Sequence, residues 1–220
     1  SIETACMKEI HHRIKNNLQV ISSLLDLQAD KFNDTKVVEA FRESQNRVLS
    51  MALIHEELHE GMGSDVLNSS KYLERLVENI FQTYRSRNAD IILNMDLEEN
   101  IFFDMDTVVP LGLIVNELVS NSLKHAFVDR DNGQIQIELC KGESIGCKDN
   151  IAGSKQEEFH GTSFILIVSD NGVGIPGDFD LENPASLGMQ LVNTLIDQLE
   201  GKLELKKGNG TEFTIKFRVM

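Results

Sequence analysis

The chain has 220 residues, 41% of them apolar, and a formal charge of −14. That length holds one large domain or a small module joined to a mid-sized one, with enough apolar side chain for a core. The acidity, with a pI near 4.8, excludes nucleic acid and anionic lipid as partners held by charge, since both are themselves negative.

Three cysteines, Cys6, Cys140 and Cys147, are too few and too unevenly spaced for a disulfide framework and point to a reducing compartment, the cytoplasm. No run of about 18 apolar residues and no basic leader is present, so this segment makes no direct membrane contact. A full-length protein could still be anchored through upstream segments. The chain starts inside a helical pattern, which suggests that a sensor domain precedes it.

Residues 1–60 contain no Gly or Pro, and their apolar residues recur at helical spacing. They read as two helices broken at "KFNDTK", with Asn33 or Asp34 capping the second. Met7, His11, Ile14, Leu18, Ile21, Leu25 and Phe32 form a seam in steps of three and four, interrupted at Gln28. Val37, Phe41, Val48, Met51 and Leu58 answer it from the second helix. Val20, Leu24 and Leu27 make a second apolar edge that a lone hairpin cannot bury, so a dimeric four-helix bundle is expected.

Gly61 and Gly63 in "EGMGSD" mark a boundary, dividing the chain into residues 1–62 and 63–220. Beyond it, "SSKYLERLVENIFQTYRS" reads as a helix with a serine cap, and "ADIILNMDL" with "NIFFDM" as a strand pair. "TVVPLGLIVNELVSNSLKHAF" is a long amphipathic helix with Pro110 in its first turn. "GQIQIELC" and "FILIVSD" read as strands flanking a polar connection at 141–162. "SLGMQLVNTLIDQLEG" is a helix stopped by Gly201, and "KLELKKGNGTEFTIKFRV" a hairpin about "GNG". The second module is a helix layer on a mixed sheet.

Three stretches carry chemistry. In "NELVSNSLKH", Glu117 and Asn121 share a helix face, with Lys124 one turn further. A magnesium ion on phosphates takes hard oxygen ligands, and the ammonium suits phosphate charge; a solvated helix face is the plain alternative. In "VSDNGVGIP", Asp170 stands where an apolar strand ends, and a carboxylate there accepts from an amino group such as the exocyclic amine of a base. Gly172 and Gly174 allow close backbone approach, though "NG" also marks ordinary hairpin turns. In "SLGMQLV", Gly188 lies at a helix mouth, where free amides and the helix dipole favour phosphate or simply cap the helix.

Taken with "GTEF" at Gly210 and Thr211, residues 108–217 resemble the ATP-binding domain shared by sensor histidine kinases, gyrase-type topoisomerases, MutL proteins and Hsp90 chaperones. "EIHHRIKNNLQVISSLLDLQ" resembles the phosphoacceptor helix of the HisKA_2 histidine kinases, whose box reads His-Arg-x-Lys-Asn. The fold this implies is an α-helical hairpin followed by an α/β two-layer sandwich of the GHKL (Bergerat) ATPase type. By the same resemblance, Asn121 binds Mg²⁺, and Glu117 orders a metal-bound water or assists proton movement. Lys124 and His125 face the phosphates, together with the amides at Gly188 and Met189. Asp170 accepts from the adenine amine, Gly172 and Gly174 line the base, and Thr211 reaches the adenine edge through water. The segment between "DNGVGIP" and "SLGM" becomes a small ATP lid. Many relatives place an acid after the phosphoacceptor; this chain has Arg13, which leaves the base unassigned.

On a helical wheel His11 falls within about 60° of the apolar stripe and His12 about 160° from it. His11, like His55, reads as a packed and hydrogen-bonded histidine. His12 shares a polar stripe with Asn16, Gln19 and Ser23, open to an incoming phosphate, and His12 and Asn16 are grouped as candidate catalytic residues with Glu117. A neutral imidazole attacks phosphorus without a strong base. Cys140, Cys147 and His160 match no zinc spacing, and His55 with His59 lack a third ligand. The reading is a homodimeric histidine kinase core that moves the γ-phosphate of Mg-ATP to His12 and then to an aspartate of a response-regulator receiver domain. Its rivals are a GHKL ATP hydrolase in which Glu117 activates water, and a non-catalytic nucleotide-binding scaffold.

Overall fold

The computed structural model describes residues 2–60, 66–84, 90–142 and 161–220. Contacts divide the chain into two compact units, Ser1–Gln82 with Asn100–Asn116 and Thr83–Glu99 with Glu117–Met220. The architecture is a helical hairpin followed by an α/β sheet domain.

In the first unit, α1 (Ile2–Ala29) and α2 (Thr35–Glu60) pack along each other. Asp34 caps α2, its Oδ1 accepting from the Lys36 amide at 2.8 Å, and Phe32 stacks on Phe41 with ring centroids 5.6 Å apart. The seam of α1 differs from the expected stripe. Its most covered residues are the small Ser22 and Ala29, whereas Ile21 remains 45% exposed. Half-buried His11, Lys15, Leu18 and Leu25 complete that line, which steps by fours and threes as a helix-pair seam does. Small residues at its end let the helices approach closely, and the larger neighbour is turned outward. The side chain of Leu58 lies outside the described residues.

The short strand β1 (Leu67–Asn68) pairs antiparallel with β3 (Phe102–Phe103). It leads into α3 (Ser69–Tyr84), where Asn68 acts as the cap in place of the expected serine: its Oδ1 accepts from the Ser70 hydroxyl at 2.8 Å and the Lys71 amide at 3.3 Å. Ser69 Oγ instead donates to the Ile101 carbonyl at 2.9 Å. Arg75 of α3 ties down α2, reaching Glu57 at 2.6 Å and Glu56 at 3.1 Å. The helix α4 (Met105–Asn121) starts earlier than expected, so Pro110 falls in its second turn, with the Asp104 side chain accepting from the Thr107 amide at its start.

The second unit is a five-stranded sheet in the order β2-β4-β5-β7-β6, built from β2 (Asp90–Leu97), β4 (Asn132–Lys141), β5 (Thr162–Asp170), β6 (Lys202–Gly208) and β7 (Gly210–Val219). The expected pairing of β2 with β3 does not form; β2 lies parallel to β4. The reason is topological, because the chain passes through α4 between these strands, and a helical crossover returns a strand parallel to its neighbour. The β6–β7 hairpin turns at "GNG" as expected, pairing Gly208 with Gly210.

Alternation along the strands sorts the sheet into two faces. Ile135, Ile137, Leu139, Leu166, Val168, Ile215 and Phe217 are almost wholly buried on one, and Cys140, Ile165 and Ile167 form a smaller cluster on the other. The helix α5 (Leu187–Gln198) buries Met189, Val192, Leu195 and Ile196. Each such side chain contributes about 1.5–3 kcal/mol when fully removed from water. At the end of α5 it is Glu200, at φ 52°, and not Gly201, that takes the left-handed conformation.

Candidate functional site

The nucleotide-facing candidates all fall in the second unit. Glu117 and Asn121 stand one turn apart at the C-terminal end of α4, Glu117 buried and Asn121 half-buried. The helix then widens into a π-turn at Ser122–Ala126 that carries half-buried Lys124 and exposed His125. A π-turn changes the register that an uninterrupted α-helix would have given Lys124 and His125 relative to Glu117 and Asn121.

Asp170 ends β5 with both carboxylate oxygens engaged. Ser122 Oγ donates to Oδ2 at 2.7 Å, and the Gly172 amide donates to Oδ1 at 3.0 Å. Thr211, buried on β7, is the cross-strand partner of Asp170. The turn that follows is stapled in place. The Val173 amide donates to the Ala126 carbonyl at 2.8 Å, Arg130 Nη1 to the Asn171 carbonyl at 2.9 Å, and the Gln134 amide to Asn171 Oδ1 at 2.8 Å. Gly172 is required by space, since a Cβ there would meet the Ala126 carbonyl. Gly174 is required by conformation, at φ 81°.

Ser186 caps α5 by accepting from the Met189 amide at 3.3 Å, which leaves Gly188 half-exposed at the helix mouth and the Met189 side chain buried. The connection between the glycine turn and α5 is tethered rather than loose. Asn193 Nδ2 donates to the Leu181 carbonyl at 2.8 Å, Gln190 Nε2 to the Pro184 carbonyl at 3.1 Å, and Asp180 Oδ1 accepts from the Glu182 amide at 3.0 Å. A recess of about 300 Å³ at this end of the sheet takes in Asp170 and Thr211, with Gln134, Ser169 and Lys206 on its walls. Asn121, Lys124 and Gly188 lie outside that recess.

Among the described residues no cluster of three or more His, Cys, Asp or Glu could hold a metal by itself. That suits a magnesium ion delivered on phosphates, which keeps most of its shell as phosphate and water oxygens and takes one or two protein oxygens. Asn121 and Glu117 supply oxygens of that kind.

In the first unit the two adjacent histidines have opposite surroundings. His11 Nδ1 lies 2.9 Å from His55 Nδ1, so one nitrogen carries the shared proton and the other accepts it. His55 is 8% exposed, and burial, with the neighbouring His11, holds its pKa below the ordinary histidine value. His12 is exposed, with the Asn16 amide 3.5 Å from its Nδ1. Further along that stripe Gln19, Val20, Ser23, Leu24 and Leu27 line a shallow groove with Asn16. Arg13 is engaged by Glu9 at 2.9 Å.

Sequence reasoning missed Ser122, Arg130 and Asn171. Ser122 reads as a small helix residue, and nothing local distinguishes it.

The sheet, the acid–Asn helix end and the glycine turn after Asp170 define a class. The model described as "Histidine kinase-, DNA gyrase B-, and HSP90-like ATPase" matches residues 106–220, and the model described as "Histidine kinase", HisKA_2, matches residues 9–84. The chain belongs to the histidine kinase family of the HisKA_2 type. It is 31% identical over 218 residues to the sensor histidine kinase PdtaS of Mycobacterium tuberculosis, covering 98% of this chain and 40% of that protein. It is 26% identical over 211 residues to blue-light-activated histidine kinase 2 of Erythrobacter litoralis, covering 92% of this chain and 53% of that protein. Among solved structures, the histidine kinase domain of the Erythrobacter litoralis EL346 blue-light activated histidine kinase superposes with a TM-score of 0.66 at 25% identity, covering 98% of this chain and 91% of that one. The chain thus spans about two fifths of the length of the PdtaS relatives. No helix among the described residues is long and apolar enough to cross a membrane.

Proposed function

We propose that this chain is the kinase core of a two-component system, transferring the γ-phosphate of Mg-ATP to His12 and then to an aspartate of a response-regulator receiver domain. Residues 1–62 are the dimerisation and phosphotransfer hairpin, and residues 63–220 the ATP-binding part. The observation that carries the reading is the contrast between His11, packed on His55, and exposed His12 beside it, in one chain with a supported Asp170. An acceptor must be reachable, and His12 is.

Asp170 receives the adenine amine, with Gly172, Gly174 and Thr211 about the base. Asn121, assisted by Glu117, takes the magnesium, while Lys124, His125 and the first turn of α5 at Gly188 meet the phosphates, joined by the Met189 amide where a phosphate displaces the Ser186 hydroxyl from it. Magnesium, when bound, neutralises charge on the transferring phosphate and orients it. His12 attacks through Nε2, the bond from phosphorus to the bridging oxygen breaks, and ADP leaves with that electron pair. Attack through Nε2 needs a proton on Nδ1. The amide of Asn16, 3.5 Å away, receives that N–H when it turns its oxygen inward, which orients the ring without an acid at position 13. The proton is lost to solvent afterwards.

Exposed Val20, Leu24 and Leu27 support a homodimer. The greater length of relatives named as sensor kinases supports a sensor segment elsewhere in a full-length protein, with this core placed in the cytoplasm as part of the same proposal.

Incubation with γ-labelled ATP tests the reading. Label retained on protein in an acid-labile, base-stable bond and mapped to His12 agrees with it. Label released as inorganic phosphate without a phosphoprotein would replace it with an ATP hydrolase that uses Glu117 on water.

A further inference from the structure

We infer that Ser122 is a positioning residue that sets base specificity by fixing the Asp170 carboxylate, an inference that rests on the assignment of Asp170 to adenine. Asp170 sits on a short side chain at a strand end, and its carboxylate takes two donors among the described residues, Ser122 Oγ at 2.7 Å and the Gly172 amide at 3.0 Å. The Gly172 bond is a local turn contact two residues away, and by itself it leaves the carboxylate plane free to rock about that oxygen. Ser122 is 48 residues distant, is 9% exposed and belongs to another element. Its bond to the second oxygen closes the remaining rotation.

A carboxylate has about four acceptor positions. With one donor on each oxygen, it keeps acceptor positions for a base amine and presents no hydrogen of its own. Adenine supplies the amine. Guanine brings a 6-oxo acceptor that meets only acceptors, and buried groups left without a partner discriminate strongly. A pre-oriented carboxylate enforces this better than one that swings aside.

The placement of Ser122 follows from its neighbour. Successive helical residues point about 100° apart, so Asn121 keeps the face of Glu117 while Ser122 turns to the end of β5. One helix end thereby serves both the phosphate and the base. Of the other supports of this turn, the Val173 and Gln134 amides are main-chain donors, and the Arg130 side chain reaches the Asn171 carbonyl rather than the carboxylate. Among the described residues Ser122 is therefore the side chain that donates to the carboxylate itself, and substitution can remove it.

The test is calorimetric titration of the whole chain with Mg-ADP and Mg-GDP. Ser122→Ala is expected to weaken ADP about tenfold, the loss of one charge-assisted bond, while GDP binding stays weak, so that discrimination narrows. Ser122→Thr, which keeps a hydroxyl, should restore most of it, which a merely structural role would not predict. In an Asp170→Ala background, Ser122→Ala should change ADP affinity less than about twofold, because the group it positions is gone. Unchanged ADP affinity in Ser122→Ala, with Asp170→Ala weak, would overturn the inference and leave the Asp170 assignment standing. A full loss persisting in the Asp170→Ala background would overturn it too, since Ser122 would then act directly. Asp170→Ala binding ADP normally would instead refute the underlying site assignment. Should Ser122→Ala melt early, Ser122→Cys, with a weak donor of similar shape, carries the same comparisons.

Discussion

His11 and His55 face each other across the helical hairpin, Nδ1 to Nδ1 at 2.9 Å, while His12, the next residue along, stands in solvent. Adjacent positions on one helix are thus committed to packing and to exposure. His12→Gln is expected to abolish phosphoryl labelling and to change stability by less than about 0.5 kcal/mol, the usual effect at an exposed position. His11→Gln should lower stability by about 1–3 kcal/mol, because it strands a buried partner, and should retain some labelling. Denaturant melts and phosphopeptide mapping under neutral to alkaline conditions separate these outcomes. Phosphate on His11 with His12 unmodified would reverse the assignment.

The same pair makes stability depend on pH. Burial and the neighbouring His11 hold the pKa of His55 below 6.5 in the folded chain, so the unfolded state binds the proton more readily. The stabilisation is fully present above about pH 6.5, the unfolded value, and is lost as pH falls through the folded pKa. Thermal melts of the wild type between pH 8 and pH 5 should decline across this window, and His55→Gln should flatten the histidine component. A His55→Gln profile that parallels the wild type would show that other groups dominate.

Tyr72 is 1% exposed and its hydroxyl has no hydrogen-bond partner among the described residues, where it is packed over Gly112 of α4. Burial accordingly pushes its pKa far up. Removing an unsatisfied buried hydroxyl relieves a desolvation cost, so Tyr72→Phe should stabilise the chain by about 1 kcal/mol. Destabilisation of that size in a urea melt would mean that the hydroxyl has a partner in solution.

Leu24, 60% exposed between Val20 and Leu27 at 59% and 61%, lies on the apolar edge assigned to dimerisation. Leu24→Glu should shift the whole chain from dimer to monomer in sedimentation at micromolar concentration, with ATP affinity unchanged. A wild-type chain that sediments as a monomer throughout would remove the need for that interface.

Helical rotation alone separated His11 from His12, and the strand-end position of Asp170, the glycine turn and the "GNG" hairpin were all legible from spacing. These features depend on residues within a few positions of one another, where backbone geometry dictates direction. Other features needed the folded chain. The α1 seam runs through Ser22 and Ala29 and leaves Ile21 outward, a choice made by how closely two helices approach. The partner of β2 is β4, set by the crossover through α4. The bond from Ser122 to Asp170 and the capping of α3 by Asn68 were likewise invisible as patterns. Ser122 and Asp170 are joined across 48 residues, and periodicity carries no information over that distance; only the packing of a helix end against a strand end brings hydroxyl and carboxylate together.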